Sequence, residues 1–400
     1  MVEEHASRLG PSSPAETVGL LRSAGRVLAE KVVADRDFPP FPRATRDGYA
    51  VRAGDLAQLP AILQVVREIK AGAAPQDIRF TLQPGEAAAI MTGAPAPPGA
   101  DAVVMVEYTA RQADRVEISK GIGGGDNIVP IGSEARRGDV LLPAGSRLGH
   151  AAIAVAASVG RTSMTVHPRP RIAILATGDE IVDVASAPGP NQIRNSNSYS
   201  LATQVSAAGG EPLILPTAPD EPRRLRELIE EGLTCELLLL SGGVSMGKYD
   251  LVEQVFDQLD AEFFFTGAKI QPGRPIVFGR VASASRTPPV YFFGLPGNPV
   301  STMVTFELFA RPVIEALSGL TPHKLVFLRA RLKKDIQART GLKRFLPAVL
   351  SGEFEGTEVE LMDWHGSGDI AATARANCYV VTPPDREHVP AGEWVPVLLR

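Results

Sequence analysis

Apolar positions change their period along this chain, and each change marks a change of architecture. Leu20, Leu21, Ala24, Val27 and Leu28 recur at helical spacing. Ser13-Pro14-Ala15-Glu16 stands before them: the serine can cap, the proline suits a first turn, and the glutamate closes a capping box. This predicts a helix that ends by residues 35–41, with Pro39, Pro40 and Pro42 close behind. From residue 46 to 139 the pattern turns β-like. Short runs at 62–69, 87–91, 102–107 and 115–118 alternate with Pro and Gly turns, and 121–125 reads as a loop. Helical spacing returns at 151–159. The expectation is a helical or linker domain, residues 1–45 and 140–169, that carries an inserted β-rich domain, residues 46–139.

Residues 170–319 alternate strand and helix. Strands are expected at 171–177, 213–216, 236–240 and 291–295, and helices at 195–208, 251–259 and 300–318. Gly209-Gly210 ends the first of these helices, and Asp220 is read as the cap of a further helix with Pro222 in its first turn. The strands are apolar without alternation, as in a parallel sheet covered by helices on both faces. Residues 320–400 return to β patterns at 325–332, 345–350 and 379–382, which fit a small barrel-like domain. The fold class expected is α/β multidomain: a doubly wound parallel-sheet domain, a helical segment, an inserted β-rich domain and a C-terminal β-barrel-like domain.

Composition narrows the function classes. The chain has 400 residues, enough for two to four domains, with 44% hydrophobic and 22% charged residues. A net charge of −4 gives no basic excess for nucleic acid or an acidic membrane surface. Cys235 and Cys378 form no CxxC pair, so neither a zinc site nor a disulfide framework is indicated. Residues 1–10 lack an apolar signal core, and the longest apolar stretch, near 151–159, is too short to span a bilayer. A soluble, cytoplasmic protein is expected.

In an open parallel sheet, ligands bind beyond the carboxyl ends of the strands. Three loops stand at such ends. They are Thr177-Gly178-Asp179-Glu180; the run from Ser241, Gly242 and Gly243 through Ser245 and Gly247 to Asp250; and Gly294-Leu295-Pro296-Gly297-Asn298-Pro299. Glycine lets backbone N–H groups approach phosphate oxygens, and a following helix N-terminus favours an anion. Asp250 ends its loop at a helix start, and an acid beside bound phosphates commonly holds Mg2+. The loops match neither a P-loop nor the GxGxxG fingerprint. Any one of them alone reads equally as a tight turn with a capping acid; three on successive strand ends favour a ligand site. Lys269 and Arg274 flank a Pro-Gly turn, which suits a phosphate or an oxyanion, although two solvated surface charges are the commoner reading of such a pair. Asp47 and Thr92 fall in turn-like sequences, and His365 has no second ligand beside it.

Together these segments resemble the molybdopterin molybdenumtransferase (gephyrin E-domain) family. The resemblance rests on Arg46-Asp47-Gly48-Tyr49-Ala50-Val51, Met91-Thr92-Gly93-Ala94-Pro95, Gly99-Ala100-Asp101-Ala102-Val103-Val104, Ala176-Thr177-Gly178-Asp179-Glu180 and Ile193-Arg194-Asn195-Ser196-Asn197. Residues 241–250, 269–275 and 294–301 complete it, so it covers nearly the whole chain. It implies an elongated homodimer of four-domain subunits in which adenylyl-molybdopterin and molybdate, with Mg2+, give molybdenum cofactor and AMP. Matched residue by residue, it implies catalytic roles for Asp47, Thr92, Glu180, Asp220 and Asp250, with Glu180, Asp220 and Asp250 toward the metal. Substrate contacts are implied at Lys269, Arg274, Pro296, Pro299, Arg344 and Ser367, with the Ser241–Gly247 and Gly297-Asn298 loop positions beside them. Arg46, Lys248 and Arg274 depart from the family's commonest residues, as does Trp364-His365-Gly366 before Ser367, which leaves molybdate and tungstate both open. Candidate protein partners are a molybdopterin adenylyltransferase and acceptor molybdoenzymes. A molybdopterin adenylyltransferase-like or other nucleotide-cleaving enzyme, and a non-enzymatic dimeric scaffold, are the alternative readings.

Overall fold

The computed structural model describes residues 1–243, 251–283, 286–321, 323–353 and 356–400. The chain divides into two compact units, residues 1–29, 145–149 and 163–400 in one, and 30–144 and 150–162 in the other.

The larger unit is built on a six-stranded sheet in the order Glu211–Ile214, Arg171–Ala176, Leu237–Ser241, Arg286–Leu295, Val277–Ser283, Glu262–Phe265. The first four strands are parallel, as expected. The last two run antiparallel, so the sheet is mixed rather than wholly parallel. Ser283 pairs with Arg286, a link far too short for the crossover that a parallel pair requires. Successive side chains leave opposite faces. Ile172, Ile174, Leu237, Leu239 and Phe293 enter one core, and Ala173, Leu175, Leu238, Leu240 and Phe292 the other. Burial on both faces is why these strands show no alternation.

The helix expected at 300–318 is broken into Pro299–Thr305, a π-helical turn Phe306–Ala310, and Arg311–Leu317. Pro312 has no N–H to give, and its ring would press on the carbonyl four residues back; the wider turn relieves both. The helix expected behind Ser13 is absent. Glu16–Gly19 is a strand paired antiparallel with Ser163–Val166, and Leu20–Ser23 is a single 3-10 turn. Leu21 is 83% exposed, so the helical spacing there marks no buried face. Glu16 takes the Arg26 guanidinium instead of closing a capping box, and Gly25, at φ +77°, turns the chain before Val27 and Leu28 enter the core.

Near the C-terminus, Lys343–Ser351, Glu358–Leu361, Leu328–Leu332, Trp394–Leu399 and Cys378–Thr382 follow one another, and the last pairs back onto the first to close a five-stranded barrel. Ala330, Leu332, Val380, Val395 and Val397 fill it. Ile270–Gln271 pairs in parallel with Lys343 and Arg344 at its edge.

The smaller unit carries its own six-stranded sheet: Ala102–Met105, Gly48–Val51, Glu86–Ile90, Ala61–Ile69, Arg115–Ile118, Thr109–Gln112. Tyr49, Val51 and Val104 pack on one face, Ala50, Ala88 and Val103 on the other. The expected helix near 151 is His150–Ser158. Among the described residues no helix is long and apolar enough to cross a membrane.

Candidate active site

A cavity of about 520 Å³ opens where Arg171–Ala176, Leu237–Ser241 and Arg286–Leu295 end. Arg171–Ala176 has the next strand of the sequence on one side and the third on the other, the switch point at which open α/β sheets leave a crevice. The loops continue the sheet's hydrogen bonding one residue past the strands. Thr177 N–H donates to Ser241 O at 3.1 Å, and Gly242 N–H donates to Leu295 O at 3.2 Å. Gly242 and Gly243 lie at φ +93° and +65°. A Cβ on Gly243 would stand 2.7 Å from Thr177 Oγ1 and 2.8 Å from Val252 Cγ2, so only glycine fits between these side chains. Thr177 itself is buried, and its hydroxyl has no partner among the described residues.

Glu180, Asp220, Ser241, Gly242, Gly243, Pro296, Gly297, Asn298 and Pro299, all expected at the site, line this cavity together. Asp220 is not the helix cap it was read as: Glu221 occupies the cap position before Pro222 and makes no side-chain cap bond. Asp220 N–H instead donates to Asp179 Oδ1 at 3.0 Å, which draws a second carboxylate alongside. Partial burial first, then the charges of Asp179 and Glu180, push the Asp220 carboxyl above its ordinary range. Among the described residues no three His, Cys, Asp or Glu side chains converge as a ready-made metal set. Ser245, Gly247 and Asp250 lie outside the described residues.

The remaining expected residues fall elsewhere. Lys269 and Arg274 are exposed and outside the cavity's lining, to which their segment contributes Pro275. Arg344 donates to Gln271 Oε1 and to Arg339 O, in a second cavity of about 430 Å³ bounded by Gln271, Gln337, Ala338, Arg339 and Arg344. Ser367 O accepts from Val300 N–H at 3.0 Å and so touches the helix that starts at the main cavity. In the smaller unit, Thr92 N–H donates to Asp47 Oδ1 at 2.6 Å. That bond, with a second from the Thr92 side chain, holds the exposed Asp47 carboxyl below its usual range. Gly48 makes the placement possible: a Cβ there would sit 1.8 Å from Val104 O of the neighbouring strand. Sequence reasoning assigned no role to Asn197, Asp179 or Thr302. The first stood in a quoted motif, the second was masked by Glu180, and nothing in sequence marked the third.

A glycine cradle at a switch point, beside clustered acids, defines a phosphate- or anion-handling α/β enzyme. Comparison with known proteins specifies the class. Residues 1–160 match the MoeA N-terminal region (domain I and II), 173–316 a probable molybdopterin binding domain, and 329–399 the MoeA C-terminal region (domain IV). The molybdopterin molybdenumtransferase of Nostoc sp. is 36% identical over 98% of this chain and 90% of its own length. That of Bacillus subtilis is 34% identical over 96% and 89%. The crystal structure of a molybdopterin biosynthesis MoeA protein from Pyrococcus horikoshii OT3 superposes with a TM-score of 0.76 at 28% identity, covering 100% of this chain and 99% of that one. The chain belongs to the molybdopterin molybdenumtransferase family, and it is a transferase.

Proposed function

We propose that this chain inserts molybdenum into molybdopterin in the cavity at the sheet's switch point, taking adenylyl-molybdopterin and molybdate to molybdenum cofactor and AMP. The observation that carries the reading is the pairing of a glycine cradle, Gly242-Gly243, with the acids Asp179, Glu180 and Asp220. The cradle suits phosphate oxygens. The acids suit a hard cation, because Asp220 is held partly protonation-prone by neighbours that a cation would neutralise. Mg2+ is ordinarily held by one or two carboxylates plus substrate phosphate oxygens, which fits Glu180 and Asp220 without a complete protein cage. When bound, it would neutralise charge on the phosphoanhydride as that bond breaks.

The chain's own residues then have separable tasks. Gly242, Gly243 and the Pro296–Pro299 loop hold the nucleotide phosphate, and Lys269 and Arg274 attract the oxyanion. A molybdate oxygen attacks the adenylate phosphorus, the phosphoanhydride to molybdopterin breaks, and that oxygen leaves with AMP as molybdenum passes to molybdopterin. Asp47, with its carboxylate fixed by Thr92 N–H, completes the site from a second subunit of a homodimer. We read the four segments 1–45 with 140–169, 46–139, 170–319 and 320–400 as the domains of each subunit, and place the enzyme in the cytoplasm, where its two buried thiols stay reduced. AMP release from adenylyl-molybdopterin, with molybdate and Mg2+ titrated, tests the reading. Saturable release that needs both supports it; adenylyl-molybdopterin and pyrophosphate formed from ATP and molybdopterin instead would make the chain an adenylyltransferase, and neither product would leave a binding protein.

A further inference from the structure

The motif Ile193-Arg194-Asn195-Ser196-Asn197 has a structural role that the reaction above does not use. Asn195 stands one residue before the cap position, which Ser196 occupies without a side-chain cap bond; the Asn195 Oδ1 accepts Ser198 N–H at 3.1 Å, and its own N–H donates to Val182 O at 2.9 Å. That fixes the start of the helix Asn197–Ala208 and aims the Asn197 amide between two of the ligand loops. Asn197 Nδ2 donates to Ser241 Oγ at 2.8 Å and to Gly297 O at 2.7 Å, which uses both of its N–H bonds. Thr302 Oγ1 lies 3.4 Å from the same nitrogen and is placed to donate to Pro296 O at 2.5 Å. The Asn197 Oδ1 is shut away from solvent and has no partner among the described residues. Leaving a buried carbonyl unpaired costs free energy, and turning the amide over would set that oxygen against Gly297 O. The amide is therefore held by its two donors alone.

We infer that Asn197 is a positioning residue: with Thr302 it clasps the Ser241–Gly243 loop to the Pro296–Pro299 loop and sets the width of the cavity between them. This rests on the proposed reaction, since the substrate gripped between the loops is adenylyl-molybdopterin. Asn197 needs no contact with substrate. It acts through Ser241 and Gly297, which line the cavity with it.

Asn197→Asp tests the clasp at constant shape. The carboxylate has no N–H to give and meets Gly297 O with like polarity. Expected is a rise of about 10-fold or more in KM for adenylyl-molybdopterin, as small misplacements of a binding loop produce. The half-saturating molybdate concentration should stay near wild type. In a Ser241→Ala background the same substitution should lose clearly less, because one of its two bonds is already gone. Wild-type KM in a folded Asn197→Asp chain overturns the inference, and so does equal loss toward both substrates. If Asn197→Asp does not fold, Thr302→Val opens the clasp from its other side, and unchanged substrate affinity there overturns it as well. A wild-type chain that neither binds adenylyl-molybdopterin nor releases AMP sinks the functional reading itself, whereas a wild type that does both while the variants match it sinks only the clasp.

Discussion

Asp47 and Asp220 are exposed acids at turns, one in each unit, and their surroundings push them in opposite directions. Thr92 N–H at 2.6 Å stabilises the Asp47 carboxylate and lowers its pKa. Partial burial with Asp179 and Glu180 close by destabilises the Asp220 carboxylate and raises its pKa. The linkage signs follow. Asp47 contributes stability at pH values above its unfolded pKa, and that contribution is lost as pH falls through its lowered folded value. Asp220 contributes fully below its unfolded pKa, and the contribution is lost as pH rises through its raised folded value. At neutral pH the first acid is satisfied and the second is an unrelieved cluster. A satisfied carboxylate is suited to orienting a partner; an unsatisfied one is suited to receiving a cation.

If the two acids serve one reaction in different subunits, variants in each should complement. Asp47→Asn and Asp220→Ala alone are each expected to lower AMP release about 10- to 100-fold, the scale for disturbing a metal's ligands or their supports. Co-refolded, random assortment makes about half the dimers mixed, each with one intact site of two, so roughly a quarter of wild-type activity should return. A mixture that stays as inactive as its parents, with subunit exchange confirmed by mass, would place both acids in one chain's site or in separate functions.

The cation half of the comparison has its own test. At pH 7, Mg2+ should raise the melting temperature of the wild type and not of Asp220→Asn, since ligand binding stabilises only a chain that holds the ligand. Without Mg2+, Asp220→Asn should melt no lower than wild type, because it removes a repulsion. Equal Mg2+ shifts in both chains would detach Asp220 from the metal. Lys269→Ala and Arg274→Ala should act on the other substrate, raising half-saturating molybdate several-fold with adenylate affinity unchanged by calorimetry. Equal loss of both ligands would make them general phosphate contacts.

How far these regions could be read beforehand depended on the range of the interactions that define them. Leu237, Leu238, Leu239 and Leu240 announce a strand buried on both faces, and the glycines and acids that follow announce its ligand end, because burial and turn chemistry are local. The false helix behind Ser13 shows local spacing overridden by a distant strand: Glu16–Gly19 pairs with Ser163–Val166. Asp220 was misread because Asp220 and Glu221 both stand before Pro222, and the backbone conformation decides which takes the cap position. Asn197 stood in a quoted motif, but its role could not be read for another reason. Its partners lie 44, 100 and 105 residues away in sequence, and no spacing rule reaches that far.

The smallest effect should come from the satisfied acid, and it separates the Thr92 backbone from its side chain. The larger cause of Asp47's lowered pKa is the Thr92 backbone N–H, with the side chain second. Thr92→Ala keeps the N–H and should leave the folded stability nearly as it is at every pH. Asp47→Asn removes the charge, and wild type should exceed it slightly at neutral pH in chemical denaturation. That margin should shrink as the pH is lowered toward the depressed Asp47 pKa, where the wild-type carboxyl takes up its proton. A margin that is flat with pH would mean the bond is indifferent to charge. A margin that grew on acidification would reverse the sign of the linkage and remove the contrast with Asp220.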